Sequence, residues 1–328
     1  MRICIIGAGA IGGFLGARLA AAGNASVSAI ARGATLASLQ QHGWRLNTAE
    51  GQVHAPVQAA ENPADLGPQD LVVIAVKGPA LTAVAQTIAP LLGPETMVMP
   101  AMNGVPWWFC RQTPEFGDRP IESVDPGGVI ARAIPYRQVI GCVVHASTAT
   151  IEPGLVQHRM GNGLIVGEPD GGKSARAQRV ADLLAQAGFD VTHSDDVRYD
   201  IWYKLWGNMT MNPVSAITGA TCDRILADPL VRAFCTSAMA EAASIGERLG
   251  CTITQTAEDR CAVTARLGAF KTSMLQDVEA GRAIELDAIV GAAQEIGRRL
   301  GLPTPNIDAL LGLTRLFGRV NGLYPLEP

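Results

Sequence analysis

Six residues near the start of the chain limit its architecture more than any others: Gly7-Ala8-Gly9-Ala10-Ile11-Gly12. The apolar run Ile3-Cys4-Ile5-Ile6 precedes them and an Ala/Leu-rich stretch over 10–22 follows. The GxGxxG spacing therefore sits between a strand and a helix. In that setting each glycine has its own task. Gly7 permits a tight turn, Gly9 has no side chain to block a pyrophosphate, and Gly12 lets helix and strand pack closely. The N–H groups at the helix start then face the phosphates, and Ala8, Ala10 and Ile11 line the same turn. A glycine-rich turn without a ligand is the alternative.

Apolar and helical stretches alternate through the first half. Strands are expected at 2–6, 26–30, 71–76 and 97–99, with helices at 10–22 and 79–91. This βαβ rhythm predicts an α/β chain with a doubly wound parallel sheet of Rossmann type. Residues 139–167 differ. Two β-rich runs flank Pro153-Gly154 and Gly161-Asn162-Gly163, and read as antiparallel or edge strands appended to that sheet. A helix at 174–187 and a strand at 189–193 close the half. Beyond Asp196 the strand signal stops. Helical stretches run through 197–216, 228–250, 256–267, 273–280, 283–301 and 305–319. We expect a nucleotide-binding domain over 1–195 and an all-α substrate and catalytic domain over 196–328. The stretch 111–132, with Asp125-Pro126-Gly127-Gly128, has no assignment at this level.

Charge selects the nucleotide. An NAD site usually places a carboxylate after the second strand to bind the ribose 2′-hydroxyl. Here no acidic residue occurs before Glu50, and the second strand leads through Ser28-Ala29-Ile30-Ala31 into Arg32. A guanidinium there could pair with a 2′-phosphate, which points to NADP(H). Lys77, after the strand over 72–76, could add positive charge, and Asn103-Gly104 follows the next strand. Solvated surface charges and a plain Asn-Gly turn are the competing readings.

The formal charge of −4 and the absence of a basic run give no reason to expect nucleic acid or an anionic membrane as partner. No apolar run is long enough to span a bilayer. The seven cysteines are scattered, none in a CxxC pair, which argues for reduced thiols in a cytosol and against a zinc site.

The second half holds a lysine with two amides. Lys204, Asn208 and Asn212 recur at i, i+4 and i+8 among aromatic and apolar neighbours, so one half-buried helix face carries all three. A polar seam satisfied by neighbouring helices is one reading. With a hydride donor in the chain, a sharper one is available. Hydride arriving at a ketone carbon builds negative charge on its oxygen, and an ammonium there stabilises that charge and donates the proton. Ser273 is read as a helix cap and a donor to a carboxylate, and Glu285 as a residue that orients Lys204 or the new hydroxyl. An ordinary cap and an ordinary helix-surface glutamate remain open.

Taken together, these residues resemble the ketopantoate reductase (2-dehydropantoate 2-reductase) family over nearly the whole length. The resemblance rests on the glycine turn, Ala31-Arg32-Gly33, Val76-Lys77, Asn103-Gly104-Val105, Lys204-Leu205…Asn208…Asn212-Pro213 and Ser273-Met274-Leu275-Gln276-Asp277…Glu285-Leu286-Asp287. It implies that Lys204 is the catalytic proton donor and that Glu285 engages it and helps to bind substrate and cofactor. It implies that Asn208, Asn212 and Ser273 bind substrate, that Asn103 lies by the nicotinamide and substrate, and that Arg32 and Lys77 select the 2′-phosphate. The implied reaction is NADPH-dependent reduction of 2-dehydropantoate to (R)-pantoate in pantothenate biosynthesis. Cys222 departs from the pattern, standing where the family can show a further substrate-contacting asparagine; a thiol is the weaker hydrogen-bond partner. Reduction of another branched or bulky 2-oxo acid, and an NADP-sensing protein without catalysis, are the alternatives. The helical half could support a homodimer.

Overall fold

The computed structural model describes residues 1–326 and divides into two compact units, Met1–Asn103 with Gly128–Asp200, and Gly104–Gly127 with Ile201–Pro328. The chain therefore passes from the first unit into the second and back. Residues 104–127 lie in the helical unit, whereas the sequence pattern predicts a single boundary near 195.

The first unit runs β1 (Arg2–Ile6), α1 (Ala10–Ala21), β2 (Ser26–Ile30), α2 (Gly33–His42), β3 (Trp44–Thr48), β4 (Gly51–Ala55), β5 (Gln58–Ala60), β6 (Gln69–Ile74), α3 (Leu81–Thr87) and β7 (Leu92–Pro100). After the excursion come α4 (Val129–Ala133), β8 (Gly141–Glu152), β9 (Leu155–Gly167), α5 (Ala175–Gln186) and β10 (Asp190–His193). Five parallel strands in the order β5-β2-β1-β6-β7 form the first sheet, the expected doubly wound core. Residues of β1 and β6 are buried on both faces, as in a parallel sheet covered on each side.

The segment 139–167 meets that sheet at a parallel bridge between Val139 and Val98, and from Gly141 to Gly167 it builds a second one. β9 pairs antiparallel with β8 along one edge; its other edge takes β3 at Leu155, Val156 and Gln157, and β10 at Gly163 to Val166, both parallel. The reason is the hairpin of β3 and β4, whose inward residues Trp44, Leu46 and Ala55 need a covered face. Helix α1 supplies it. Its Gly16 leaves space for the Trp44 ring, which would lie 2.5 Å from a Cβ at that position, and Gly13 does the same for Val156. A helix apolar on nearly all sides is thereby buried against strands of both sheets.

The second unit is helical: α6 (Val197–Thr218, beginning in the first unit), α7 (Cys222–Ala227), α8 (Pro229–Arg248), α9 (Ala257–Ala265), α10 (Ser273–Glu279), a π turn at Asp287–Gly291, α11 (Ala292–Arg299) and α12 (Pro305–Val320). Residues 282–286 lie outside any helix or strand, not in the helix expected over 283–301. Their Ile284 N–H donates to the Leu323 carbonyl at 3.0 Å, outside any helical ladder. Segment 104–127 has its account in Glu295 of α11. That buried carboxylate accepts from the backbone N–H of Glu122 (2.9 Å) and Ser123 (2.8 Å) and pairs with Arg299 (2.6 Å), whose guanidinium covers Phe116.

Within the first unit, Arg176 of α5 grips Glu168 past the end of β9 through Nε (2.7 Å) and Nη2 (2.5 Å), and the Ser174 hydroxyl donates to the same carboxylate. Burial alone would raise the Glu168 pKa, but these donors and the arginine charge hold it below the ordinary carboxylate range. A depressed folded value stabilises fully above the unfolded value and is lost as pH falls through the folded one. Glu168→Gln should therefore cost about 2 kcal/mol at neutral pH and flatten the loss of stability in acid. Denaturant titrations of both proteins from pH 7 to pH 3 measure this, and parallel curves would refute it.

Candidate active site

The glycine turn follows β1 as expected. Gly7 has a φ of +91°, and a Cβ there would meet Val76 Cγ1 at 2.6 Å. A Cβ on Gly12 would come within 1.9 Å of the Gly7 carbonyl oxygen, so helix and turn pack backbone to backbone. Gly9 differs: a Cβ there meets nothing within 4 Å. It is also the residue preceding α1, with no side-chain cap and no acidic residue in the first turn. The helix N-terminus is thus left uncapped and unopposed by negative charge, a fitting seat for a pyrophosphate.

Arg32, Lys77 and Asn103 follow β2, β6 and β7, the strands beside and beyond β1 in the sheet. Because these strands are parallel, all three residues lie at the same carboxyl edge as the glycine turn. Arg32 is exposed and immediately precedes α2; Lys77, half-buried, precedes a single 3-10 turn at Gly78–Ala80. The strand before Arg32 ends at Ile30 as expected, and the one before Lys77 ends at Ile74, two residues earlier than expected. Asn103 closes its stretch of the first unit. The following Gly104 has a φ of +87°, and its missing Cβ lets the backbone lie against Ala288, whose carbonyl accepts the Val105 N–H at 2.7 Å.

In the second unit Lys204, Asn208 and Asn212 share one face of α6. The rotation of this helix is set by two indoles on another face. Trp202 donates to the Ala242 carbonyl at 3.1 Å and Trp206 to that of Met239 at 2.7 Å, both on α8. Lys204 and Asn208 are half-buried; Asn212 is 4 % exposed. The Asn212 Nδ2 is buried without a hydrogen-bond partner among the described residues, a costly arrangement unless a ligand completes it. Pro213, inside the helix, has no N–H to offer the Met209 carbonyl. The next face of α6 carries Tyr203 and Gly207, against which Arg260 of α9 is laid.

Ser273 is not the cap of α10. Thr272 precedes it, buried, and its Oγ1 accepts the Leu275 N–H at 3.2 Å; Ser273 is the first helical residue and exposed. Adjacent hydroxyls left the register of the cap ambiguous, and this is the residue that sequence reasoning missed. Glu285 is half-buried on the irregular 282–286 segment, not on a helix surface. Two residues on, Asp287 has its pKa raised by burial, countered in part by the Tyr324 hydroxyl donating at 2.6 Å. Cys222 opens α7 with its backbone N–H donating to the Phe270 carbonyl. Burial first, then the charge of Asp223, pushes its thiol up to about 11, so it is uncharged at neutral pH.

Two family models match the chain: "Ketopantoate reductase PanE/ApbA" over residues 3–171 and "Ketopantoate reductase PanE/ApbA C terminal" over 196–317. A curated 2-dehydropantoate 2-reductase from Mesorhizobium japonicum is 45% identical over 99% of this chain and 100% of its own. A candidate ketopantoate reductase from Ralstonia solanacearum MolK2 has a crystal structure with a TM-score of 0.95 and 56% identity, covering 98% of this chain and 99% of that one. The 2-dehydropantoate 2-reductase structure from Geobacter metallireducens GS-15 follows with 0.84 and 26%, covering 97% and 100%.

The geometry separates folding from ligand binding within one motif. Gly9→Ala should leave stability within about 0.5 kcal/mol and weaken NADPH binding at least tenfold, roughly 1.4 kcal/mol. Gly12→Ala should disrupt the fold itself. Calorimetric titration beside thermal melts checks the pair; a Gly9→Ala protein that binds NADPH like the parent removes the pyrophosphate from this turn.

Proposed function

The chain belongs to the ketopantoate reductase family, and from that membership we propose that it reduces 2-dehydropantoate to (R)-pantoate with NADPH, the reductive step of pantothenate biosynthesis. The observation that carries the reading is the α6 face, where Lys204 and two amides are aligned and the Asn212 donor is buried without a partner.

The chemistry that the bound dinucleotide supplies is hydride transfer to C2 of the oxo acid. Its phosphates would be held by the Gly7 to Gly12 turn, its 2′-phosphate by Arg32 and Lys77, and its nicotinamide end by Asn103. Lys204 holds its proton at the oxo oxygen, stabilises the charge that develops there and transfers the proton as the alkoxide forms; solvent then reprotonates the amine. Glu285 orients the ammonium. Asn208, Asn212 and Ser273 fix the hydroxyl and carboxylate without adding charge. Residues 1–195 in this reading hold the nucleotide, and 196–328 carry substrate binding and catalysis.

The neutral, buried thiol of Cys222 supports a second reading, in which the substrate is another bulky 2-oxo acid. No helix among the described residues is long and apolar enough to cross a membrane. All seven cysteines are free and buried, which supports a reducing cytosol as the site of action. Leu313, Leu316 and Val320 are exposed at i, i+3 and i+7 on α12, which supports a homodimer through that face. Leu316→Glu should then shift the sedimenting species from dimer to monomer; a monomeric parent removes the dimer.

Steady-state assays with NADPH and ketopantoate test the function, run beside NADH and a panel of 2-oxo acids. Lys204→Ala should lower kcat by about 10²–10⁴-fold. Arg32→Ala should erode the preference for NADPH by roughly 10–100-fold. A flat response to ketopantoate with turnover of another oxo acid would move the substrate, and equal use of NADH by the parent would remove the role given to Arg32.

A further inference from the structure

The guanidinium of Arg260, on α9, lies against the helix that carries the lysine face. Its Cζ sits 4.8 Å from the centroid of the Tyr203 ring. The ring is itself fixed, since the Tyr203 hydroxyl donates to Gln255 Oε1 at 2.6 Å. A Cβ on Gly207 would come within 2.9 Å of Arg260 Nε and 3.0 Å of Nη2, so only glycine leaves the arginine its place. Gly207 is three residues from Lys204 and one from Asn208. Helix positions three apart are neighbours, with Cβ positions about 5–6 Å from one another. The arginine therefore borders the amine and amide face.

Its partners are incomplete. Nε is buried with no hydrogen-bond partner among the described residues. The nearest carboxylates on its own helix are committed elsewhere: Glu258 pairs with Arg232, and Asp259 accepts from the Thr256 hydroxyl at 2.6 Å. A guanidinium stacked on a ring keeps its in-plane donors available for a planar anion. The substrate class brings one. A 2-oxo acid carries a carboxylate beside its oxo group. Asn208, Asn212 and Ser273 are neutral, and the proton of Lys204 is required at the oxo oxygen.

We propose that Arg260 is the charged anchor for the substrate carboxylate, a specificity-determining residue that favours 2-oxo acids over their neutral esters and amides. This rests on the reductase reading above. Tyr203, Gln255 and Gly207 act as its support: ring, clamp and clearance.

The test compares Arg260→Gln and Arg260→Lys with the parent holoenzyme, using ketopantoate and its methyl ester as substrates. Arg260→Gln should raise the KM for ketopantoate roughly 10–100-fold, the range of one lost charge-assisted hydrogen bond. The KM for NADPH should stay within about twofold, and kcat/KM for the neutral ester should match the parent's. Arg260→Lys, a cation without the fork, should fall between. Equal losses on acid and ester would mark a merely structural arginine and overturn the proposal, as would an unchanged KM for ketopantoate. If the parent turns over no ketopantoate, the reductase reading fails separately. Calorimetric titration with ketopantoate then decides for Arg260: binding by the parent that Arg260→Gln loses upholds the anchor, and equal or absent binding overturns it.

Discussion

Two indole N–H groups set the rotation of α6, and the chemistry assigned to the second unit depends on that rotation. Trp202 and Trp206 reach carbonyls three residues apart on α8, and Gly246 removes the Cβ that would otherwise lie 2.4 Å from the Trp202 nitrogen. Phe109 stacks on Trp202 at 5.8 Å. With 3.6 residues per turn, Lys204 lies roughly 200° around the helix from Trp202. An apolar and hydrogen-bonded anchor on one side thus fixes where the polar side points. A polar seam alone could not, because solvated amines and amides have no preferred partner.

The first unit achieves its positioning differently. Its sheet is a set of parallel strands whose carboxyl ends coincide, so residues far apart in sequence share one edge. In the proposed reading, charge selects what topology has gathered. There the lack of a carboxylate before Glu50 counts as much as the presence of Arg32, because a single acid after β2 would oppose a 2′-phosphate at short range. The second sheet buries α1 and so holds the glycine turn in place.

Legibility in the sequence followed the strength of local pattern. β1, α1, β2, α5 and α6 were readable because an apolar period ran uninterrupted through each. The β3–β4 hairpin was not read. Its alternation of Trp44 and Leu46 with Arg45 and Asn47 is brief, and its partner β9 lies more than a hundred residues away. For the same reason local pattern does not show that most of 139–167 belongs to a second sheet. At the site, the α6 face follows from spacing alone. The cap at Thr272 and the irregular run at 282–286 do not, since the first depends on which of two hydroxyls turns inward and the second on a distant carbonyl at Leu323. Arg260 carries no sequence signal, because its meaning comes from a missing side chain at Gly207.

The excursion of the chain through 104–127 has a consequence for synthesis. The amides of Glu122 and Ser123 find their acceptor in Glu295, 173 and 172 residues later. At 5–20 residues per second a ribosome needs roughly 10–35 s to deliver it. Through that interval the nascent segment presents Trp107, Trp108, Phe109 and Phe116, all of which end up buried, with nothing yet made to fix its backbone at Glu122 and Ser123. The helical unit therefore cannot mature from its amino end forward, and its earliest-made aromatic residues wait for its later helices before they leave water.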